Sequence, residues 1–117
     1  MTFFREGLTE LQPRKSFERY VSRDFIEHKP DVPLGTREAT IAYLEKLIQS
    51  LPDAQWEPIR AIAEGEFVVL YARFTPTPGA EPFAIADIFR LRESRIVEHW
   101  DVVGHPPTQR LNPNSRF

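Results

Sequence analysis

The segment Phe83-Ala84-Ile85-Ala86-Asp87-Ile88-Phe89-Arg90-Leu91 and the segment Arg95-Ile96-Val97-Glu98-His99-Trp100-Asp101-Val102-Val103 decide the fold. Both are rich in β-branched, aliphatic and aromatic residues, a composition typical of β-strands. The polar residues Arg92-Glu93-Ser94 connect them. So short a connection predicts that the two strands pair side by side as an antiparallel hairpin.

Two further segments upstream have the same β-rich character. They cover residues 55–63 and 67–75, separated by the turn Glu64-Gly65-Glu66. The longer Pro- and Gly-containing stretch 76–82 then leads into the hairpin, as expected of a loop. Four sequential strands therefore predict an antiparallel meander.

The part of the chain before the strands is predicted to be helical. Residues 37–51 carry one apolar stripe at helical spacing, with Thr36 available as an N-cap and Pro52 ending the pattern. Residues 2–21 show mostly helical spacing on both sides of Pro13, which predicts two short helices. Helices followed by an antiparallel sheet indicate an α+β fold.

Length and composition predict one folded domain over residues 1–117, with residues 104–117 as an extended or loose tail. The 15 Lys and Arg residues nearly balance the 17 Asp and Glu residues and are interspersed with them, so no nucleic-acid partner is expected. The chain has no cysteine, which excludes disulfides and thiolate chemistry and fits a reducing, cytoplasmic location. Neither a signal peptide nor a membrane-spanning segment is predicted.

The hairpin carries acids at positions where a strand would place apolar side chains. By the period-two rule Asp87 shares a face with Ile85, Phe89 and Leu91, while His99 and Asp101 share a face with Val97 and Val103. A carboxyl group between apolar walls is poorly solvated, which makes it competent as a general acid or base. The competing interpretation is structural: these acids lie at a sheet rim, solvated or paired with Arg73 or Arg90.

The three histidines, His28, His99 and His105, do not have the spacing of a metal motif, and no metal is predicted. His28 precedes a Pro-rich loop, where it fits either a hydrogen-bonding role at a pocket mouth or a structural cap on the loop. His105 is predicted to be exposed.

Aromatic residues are numerous enough to line a cavity for a flat ligand, although each is a core residue by default. The candidates are Trp56, Trp100, Tyr43, Tyr71 and the Phe residues, Phe89 among them. The sequence has no Gly-rich phosphate loop and no nucleophile elbow, so phosphoryl transfer and serine hydrolysis lack support.

Three segments resemble the SnoaL-like branch of the nuclear transport factor 2-like superfamily. They are Phe25-Ile26-Glu27-His28-Lys29-Pro30-Asp31-Val32-Pro33, Ala86-Asp87-Ile88-Phe89-Arg90-Leu91 and residues 95–103, and their order also fits across residues 18–107. The resemblance implies a cone-shaped α+β barrel, in which a highly curved antiparallel or mixed sheet closes over N-terminal helices. It also implies a homodimer formed through the outer sheet face.

The resemblance further implies the chemistry of polyketide cyclases, which close a ring by intramolecular aldol condensation without a metal or an organic cofactor. Asp101 matches their catalytic aspartate, Asp87 matches a polar pocket residue, and His28 matches a polar residue on the loop side of the pocket. The implied ligand is a small hydrophobic molecule that contains a carbonyl group.

Several functions therefore remain open. In the first, Asp101 removes a proton next to a carbonyl group, and Asp87 with His28 or His99 stabilises the enolate oxygen in an aldol cyclisation or isomerisation. In the second, the same pocket belongs to a small-molecule-binding or dimerisation module without turnover. In the third, Asp101 orients a water molecule for addition to a small epoxide.

Overall fold

A computed structural model describes Gly7 and residues 12–117 of the chain. The described part contains two α-helices, a short 3-10 turn at Pro33–Gly35, and five strands. The helices are α1 (Pro13–Tyr20) and α2 (Arg37–Ser50), and the strands are β1 (Val21–Glu27), β2 (Gln55–Glu64), β3 (Phe67–Thr75), β4 (Phe83–Arg92) and β5 (Arg95–Gly104). Neither α1 nor α2 is long and apolar enough to cross a membrane.

The five strands form one mixed sheet in the order β1-β5-β4-β3-β2. Strands β2 to β5 pair antiparallel as a meander, and β1 pairs parallel to β5. The α+β prediction is confirmed, as is the meander. The sheet is curved but open, because β1 and β2 lie at its two edges and do not pair with each other.

Strand β1 was not predicted from the sequence. The helical pattern was extended to Val21, whereas α1 ends at Tyr20 and Val21 is the first residue of β1. The partners of β1 lie far away in sequence, with Val21 opposite Ile96 and Glu27 opposite His99. A parallel pairing of this kind leaves no local turn signal, which is why the sequence pattern missed it. Pro13 is the first residue of α1, while the helix predicted before it falls on residues outside the described part.

Helix α2 forms where the sequence predicts it and covers the inner face of the sheet. The Thr36 hydroxyl accepts a hydrogen bond from the Ala39 backbone N–H at 3.2 Å, and Glu38 lies in the positively polarised first turn. Ile41 is completely buried. It packs in a core whose other members come from α1 and all five strands: Phe17, Val21, Phe25, Trp56, Leu70, Ala72, Phe89 and Ile96.

The segment after β5 has no regular structure, but its end is fixed to β3, to the last residue of β5 and to the loop before β4. The Arg116 guanidinium donates hydrogen bonds to the carbonyl oxygens of Pro82 and Gly104, each at 3.1 Å. The Tyr71 hydroxyl donates to the Arg116 carbonyl at 2.6 Å, and the Phe117 ring lies beneath the Arg73 guanidinium. The predicted extended tail is therefore docked rather than loose.

Candidate active site

The inner face of the sheet and the two helices surround a cavity of about 340 Å³. Its walls are mainly apolar, with Phe17, Phe25, Leu44, Leu47, Trp56 and Phe74 among the lining residues. A cavity of this size and character is typical of small-molecule sites.

Eight ionisable side chains interrupt the apolar lining: Glu27, Lys29, Asp31, Tyr43, Asp87, His99, Asp101 and His105. Asp87 on β4 and Asp101 on β5 lie opposite each other in the strand register, so two acids stand side by side on the inner face. His99 precedes Asp101 by two residues and lies opposite Glu27 at the end of β1. Lys29 follows from the loop after β1 and lines the same cavity. The period-two alternation of three adjacent strands thus concentrates charge at one place.

The His99 imidazole is held between two carboxylates. Its Nδ1 lies 2.6 Å from Glu27 Oε2, and its Nε2 lies 2.8 Å from Asp87 Oδ1. Burial favours the neutral ring, but the hydrogen bonds and negative charges of Asp87 and Glu27 outweigh burial and raise the pKa of His99 to about 9. At neutral pH His99 is therefore a cation with both N–H groups engaged, which makes it unsuitable as a general base.

The Asp101 carboxylate is paired with Lys29. Lys29 Nζ lies 2.8 Å from Asp101 Oδ2 and 3.7 Å from Asp31 Oδ2, and the Asp101 side chain is only 9% exposed. Burial lowers the pKa of Lys29, but the hydrogen bond and negative charge of Asp101 outweigh burial and raise this pKa overall. The backbone N–H of Lys29 also donates to Glu27 Oε2, which connects this ion pair to the His99 group.

Tyr43 contributes a phenol to the same cavity from α2. Burial raises the pKa of its hydroxyl, so the group stays neutral at physiological pH and can act only as a hydrogen-bonding group there.

Among the residues predicted from the sequence, Asp101, Asp87, His99, Trp56 and Phe89 all line this cavity. Strand alternation predicts the inward direction of Asp87, Phe89, His99 and Asp101, whereas Trp56 was named for its aromatic ring alone. A bulge at Val97, which has no partner on β4, resets the pattern so that Ile96 joins the core.

His28 and Tyr71 were expected at the pocket, but the structure places neither among its lining residues. His28 directly follows Glu27 in extended backbone, so its side chain emerges on the opposite face. There its Nε2 lies 2.8 Å from Glu98 Oε2 and its ring stacks on Trp100. Tyr71 alternates with the inward-facing Ala72 and holds the tail instead. His105 is exposed as predicted, with its ring edge against Phe83 at the cavity.

Sequence analysis missed Glu27 and Lys29. Glu27 shares a face with Phe25 two residues earlier, and this alternation was the available signal, although it is informative only once β1 is recognised as a strand. Lys29 lies in an irregular loop, where no periodicity reports the direction of a side chain.

Among the described residues, no group of three or more His, Cys, Asp or Glu side chains is arranged to hold a metal ion.

Known structures with this fold were found, but no curated protein matches the sequence. TsrD from Streptomyces laurentii is 19% identical, with a TM-score of 0.72 over 88% of this chain and 84% of that one. A protein from Acidithiobacillus ferrooxidans, provisionally assigned as a polyketide cyclase, is 19% identical, with a TM-score of 0.72 over 87% of this chain and 82% of that one. AclR from Streptomyces galilaeus, provisionally assigned as a hydroxylase, is 20% identical, with a TM-score of 0.66 over 81% and 78%.

At these identities the similarity shows a common fold. The similar proteins have different assignments, so the reaction depends on the residues of the site and not on the fold. The sequence profile of the SnoaL-like domain matches residues 4–99, which include Glu27, Asp87 and His99 and end two residues before Asp101. The sequence-based resemblance is thereby confirmed: this chain belongs to the SnoaL-like domain family.

Proposed function

We propose that this protein is a cofactor-independent acid/base enzyme that acts next to a carbonyl group of a small hydrophobic molecule. The reaction class is aldol cyclisation or isomerisation. The observation that carries the proposal is the Asp101–Lys29 pair, a carboxylate and an ammonium 2.8 Å apart in a mainly apolar cavity. The SnoaL-like family and its structural neighbours assigned as polyketide cyclases support the same class.

In the proposed mechanism Asp101 removes a proton from the carbon next to the substrate carbonyl group. Negative charge then moves to the carbonyl oxygen. Lys29 has three N–H donors, and Asp101 occupies one of them, so another can donate to this oxygen as the charge develops. The enolate carbon attacks a second carbonyl group of the same molecule in a cyclisation, or takes a proton back at a different carbon in an isomerisation. The protonated Asp101 returns the proton in either case.

The enolate contact is assigned to Lys29 in place of His28, which lies on the opposite face of β5. His99, with Glu27 and Asp87, has a positioning role in this proposal. Its charge offsets part of the negative charge of the two acids, and its two hydrogen bonds fix Asp87 beside Asp101 in the strand register.

Lys29 acts as a cation in this scheme and not as a nucleophile. A lysine that forms a Schiff base needs a lowered pKa, so that a free amine is available. Asp101 raises the Lys29 pKa instead, which keeps the ammonium protonated at neutral pH.

A deuterium-exchange experiment tests the proposal without knowledge of the natural substrate. Small cyclic ketones and β-diketones are incubated with the protein in D₂O, and loss of the α-proton signal is followed by NMR. We expect Asp101→Asn to reduce the exchange rate by about 10²-fold or more, since it removes the base. Lys29→Met should cost about 10²- to 10³-fold, since it removes the charge that stabilises the oxyanion. Asp53→Asn, which changes an exposed acid outside the cavity, is the matched control and should leave the rate unchanged.

Full exchange by Asp101→Asn would exclude Asp101 as the base.

The other candidate, a binding module without turnover, is favoured by a specific observation: the acidic groups of the cavity are already paired with Lys29 and His99. Saturable binding of the ketones with no exchange in the wild-type protein would select that function.

We also propose that the protein forms a homodimer through the outer face of the sheet. An apolar row crosses four neighbouring strands there, with Trp100 opposite Ile88, Ile88 opposite Val69, and Val69 opposite Ile62. Ile62 at the end of the row is 61% exposed, and nearby Val102 is 63% exposed. A row of this kind is better buried against a second copy than left in water.

A further inference from the structure

A second surface groove lies where α1 meets β1, beside the first residues of α2 and β5. It has a volume of about 730 Å³ and is lined by Glu18, Val21, Ser22, Arg23, Arg37 and Arg95. It shares no lining residue with the candidate active site. Three arginines and one glutamate give this groove a formal charge surplus of about +2, taking each side chain at its ordinary ionisation state.

The groove arginines are unusual in lacking acidic partners. Elsewhere most arginines contact a carboxylate, namely Arg14, Arg73, Arg90, Arg92 and Arg110. Within the described part of the chain, Arg23, Arg37 and Arg95 form no ion pair, and Glu18 pairs with none of them. Arg60 and Arg116, outside the groove, also form no ion pair with a described residue, but three such arginines line this one surface.

Most of the hydrogen-bonding capacity of these three guanidinium groups is unused. Arg37 donates to the Phe17 carbonyl at 3.0 Å, and Arg95 donates to the Val21 carbonyl at 3.4 Å. Arg37 Nε is buried and has no acceptor among the described residues. Each guanidinium carries five N–H donors, so most donors of the three arginines have no acceptor among the described residues.

We infer that this groove binds a phosphate monoester. A phosphate monoester carries close to two negative charges at neutral pH, which matches the surplus charge, and its oxygens accept hydrogen bonds from several guanidinium groups at once. A carboxylate matches the groove less well, because it has one negative charge and one planar pair of oxygens. The groove is larger than a phosphate group, so it also has room for the organic part of an ester. This inference is independent of the reaction proposed for the inner cavity.

The test uses inorganic phosphate as the probe and isothermal titration calorimetry as the measurement, with the full chain and constant ionic strength. We expect saturable binding with one site. Arg23→Gln is the most informative variant, because the exposed Arg23 side chain makes no hydrogen bond or ion pair with a described residue and its loss should not disturb the fold. It should raise the phosphate Kd about tenfold, as should Arg95→Gln. Arg60→Gln is the matched control, since Arg60 is exposed on β2, lies outside the groove and also lacks an ion pair with any described residue.

Three results would overturn the inference. One is phosphate binding that Arg60→Gln weakens as much as Arg23→Gln does, which would mean attraction by general surface charge. Another is the absence of saturable binding in the wild-type protein. Acetate serves as the carboxylate arm of the test, and binding of acetate as tight as that of phosphate would contradict the assignment to a phosphate ester.

Discussion

Part of the free energy of unfolding depends on the positive charge of His99. The ring is neutral above its ordinary pKa of 6.5 when the chain is unfolded, but Glu27 and Asp87 keep it protonated up to a pKa of about 9 in the folded protein. Between these values the folded state binds one more proton than the unfolded state, so the free energy of unfolding decreases as pH rises. The stabilisation of the folded state by protonated His99 is complete below about pH 6.5 and is lost by about pH 9. Its size is about 3 kcal/mol.

Urea unfolding followed from pH 6 to pH 10 measures this dependence. His99→Gln keeps a hydrogen-bonding side chain but has no charge to lose, so its free energy of unfolding should not fall across the window as the wild-type value does. His105→Gln, a change at an exposed histidine, should retain the wild-type slope. A wild-type free energy of unfolding that stays constant between pH 6.5 and pH 9 would refute the assignment of a cationic His99.

Residue by residue, the sequence predicted those parts of the site that depend on strand alternation. Asp87, His99 and Asp101 follow from the period-two rule, because each lies within a strand whose other side chains show which face is buried. Lys29 could not be predicted in this way, because it lies beyond the end of β1 in a loop. The prediction for His28 was limited in the same way. His28 directly follows Glu27 at the end of β1, and neighbouring side chains in extended backbone point to opposite faces.

At the scale of elements, the contact between β5 and the tail depends on the absence of a side chain at Gly104. A Cβ at this position would lie 2.9 Å from Arg116 Nη2 and 3.1 Å from the Ala84 carbonyl oxygen. Gly104→Ala should therefore displace Arg116 and destabilise the fold by about 1–3 kcal/mol, the usual cost of overpacking. Chemical denaturation measures the loss.

A double-mutant cycle with Arg116→Ala separates the two contacts of Gly104. If the guanidinium causes most of the strain, Gly104→Ala should cost clearly less in the Arg116→Ala background than in the wild type. Equal costs in both backgrounds would show that the tail does not depend on this close approach.

Elements with local signals were predicted closely, and the one without such signals was not. Helix α2 has an N-cap and a proline after its end, and strands β2 to β5 are separated by recognisable turns. Strand β1 follows α1 without any turn residue and includes Ser22, Arg23 and Asp24, which are poor strand formers as a group. Its extended structure results from pairing with β5, a tertiary effect that local propensity does not report.

For the whole molecule, the proposed dimer gives a direct prediction. Sedimentation velocity should show a particle of twice the chain mass of 13.6 kDa. Ile62→Glu places a charge in the apolar outer row and should shift the protein to monomer while leaving the fold intact, since Ile62 is largely exposed within one chain. Leu111→Glu, in the exposed part of the tail, should remain dimeric. A wild-type monomer at micromolar concentration would contradict the proposal.

The parallel pairing of β1 with β5 also determines when the site can form. Glu27 and Lys29 are synthesised long before their partners, since Lys29 and Asp101 are 72 residues apart in the chain. The contacts within the meander are local in sequence, whereas β1 can dock only after β5, the last strand of the meander, has left the ribosome. Until then Lys29 lacks its buried partner Asp101, and the inner face has neither its edge strand nor its complete set of charges. A folding intermediate that contains only the meander should therefore expose an apolar, unpaired edge, and β1 acts as the chain's own safeguard against aggregation.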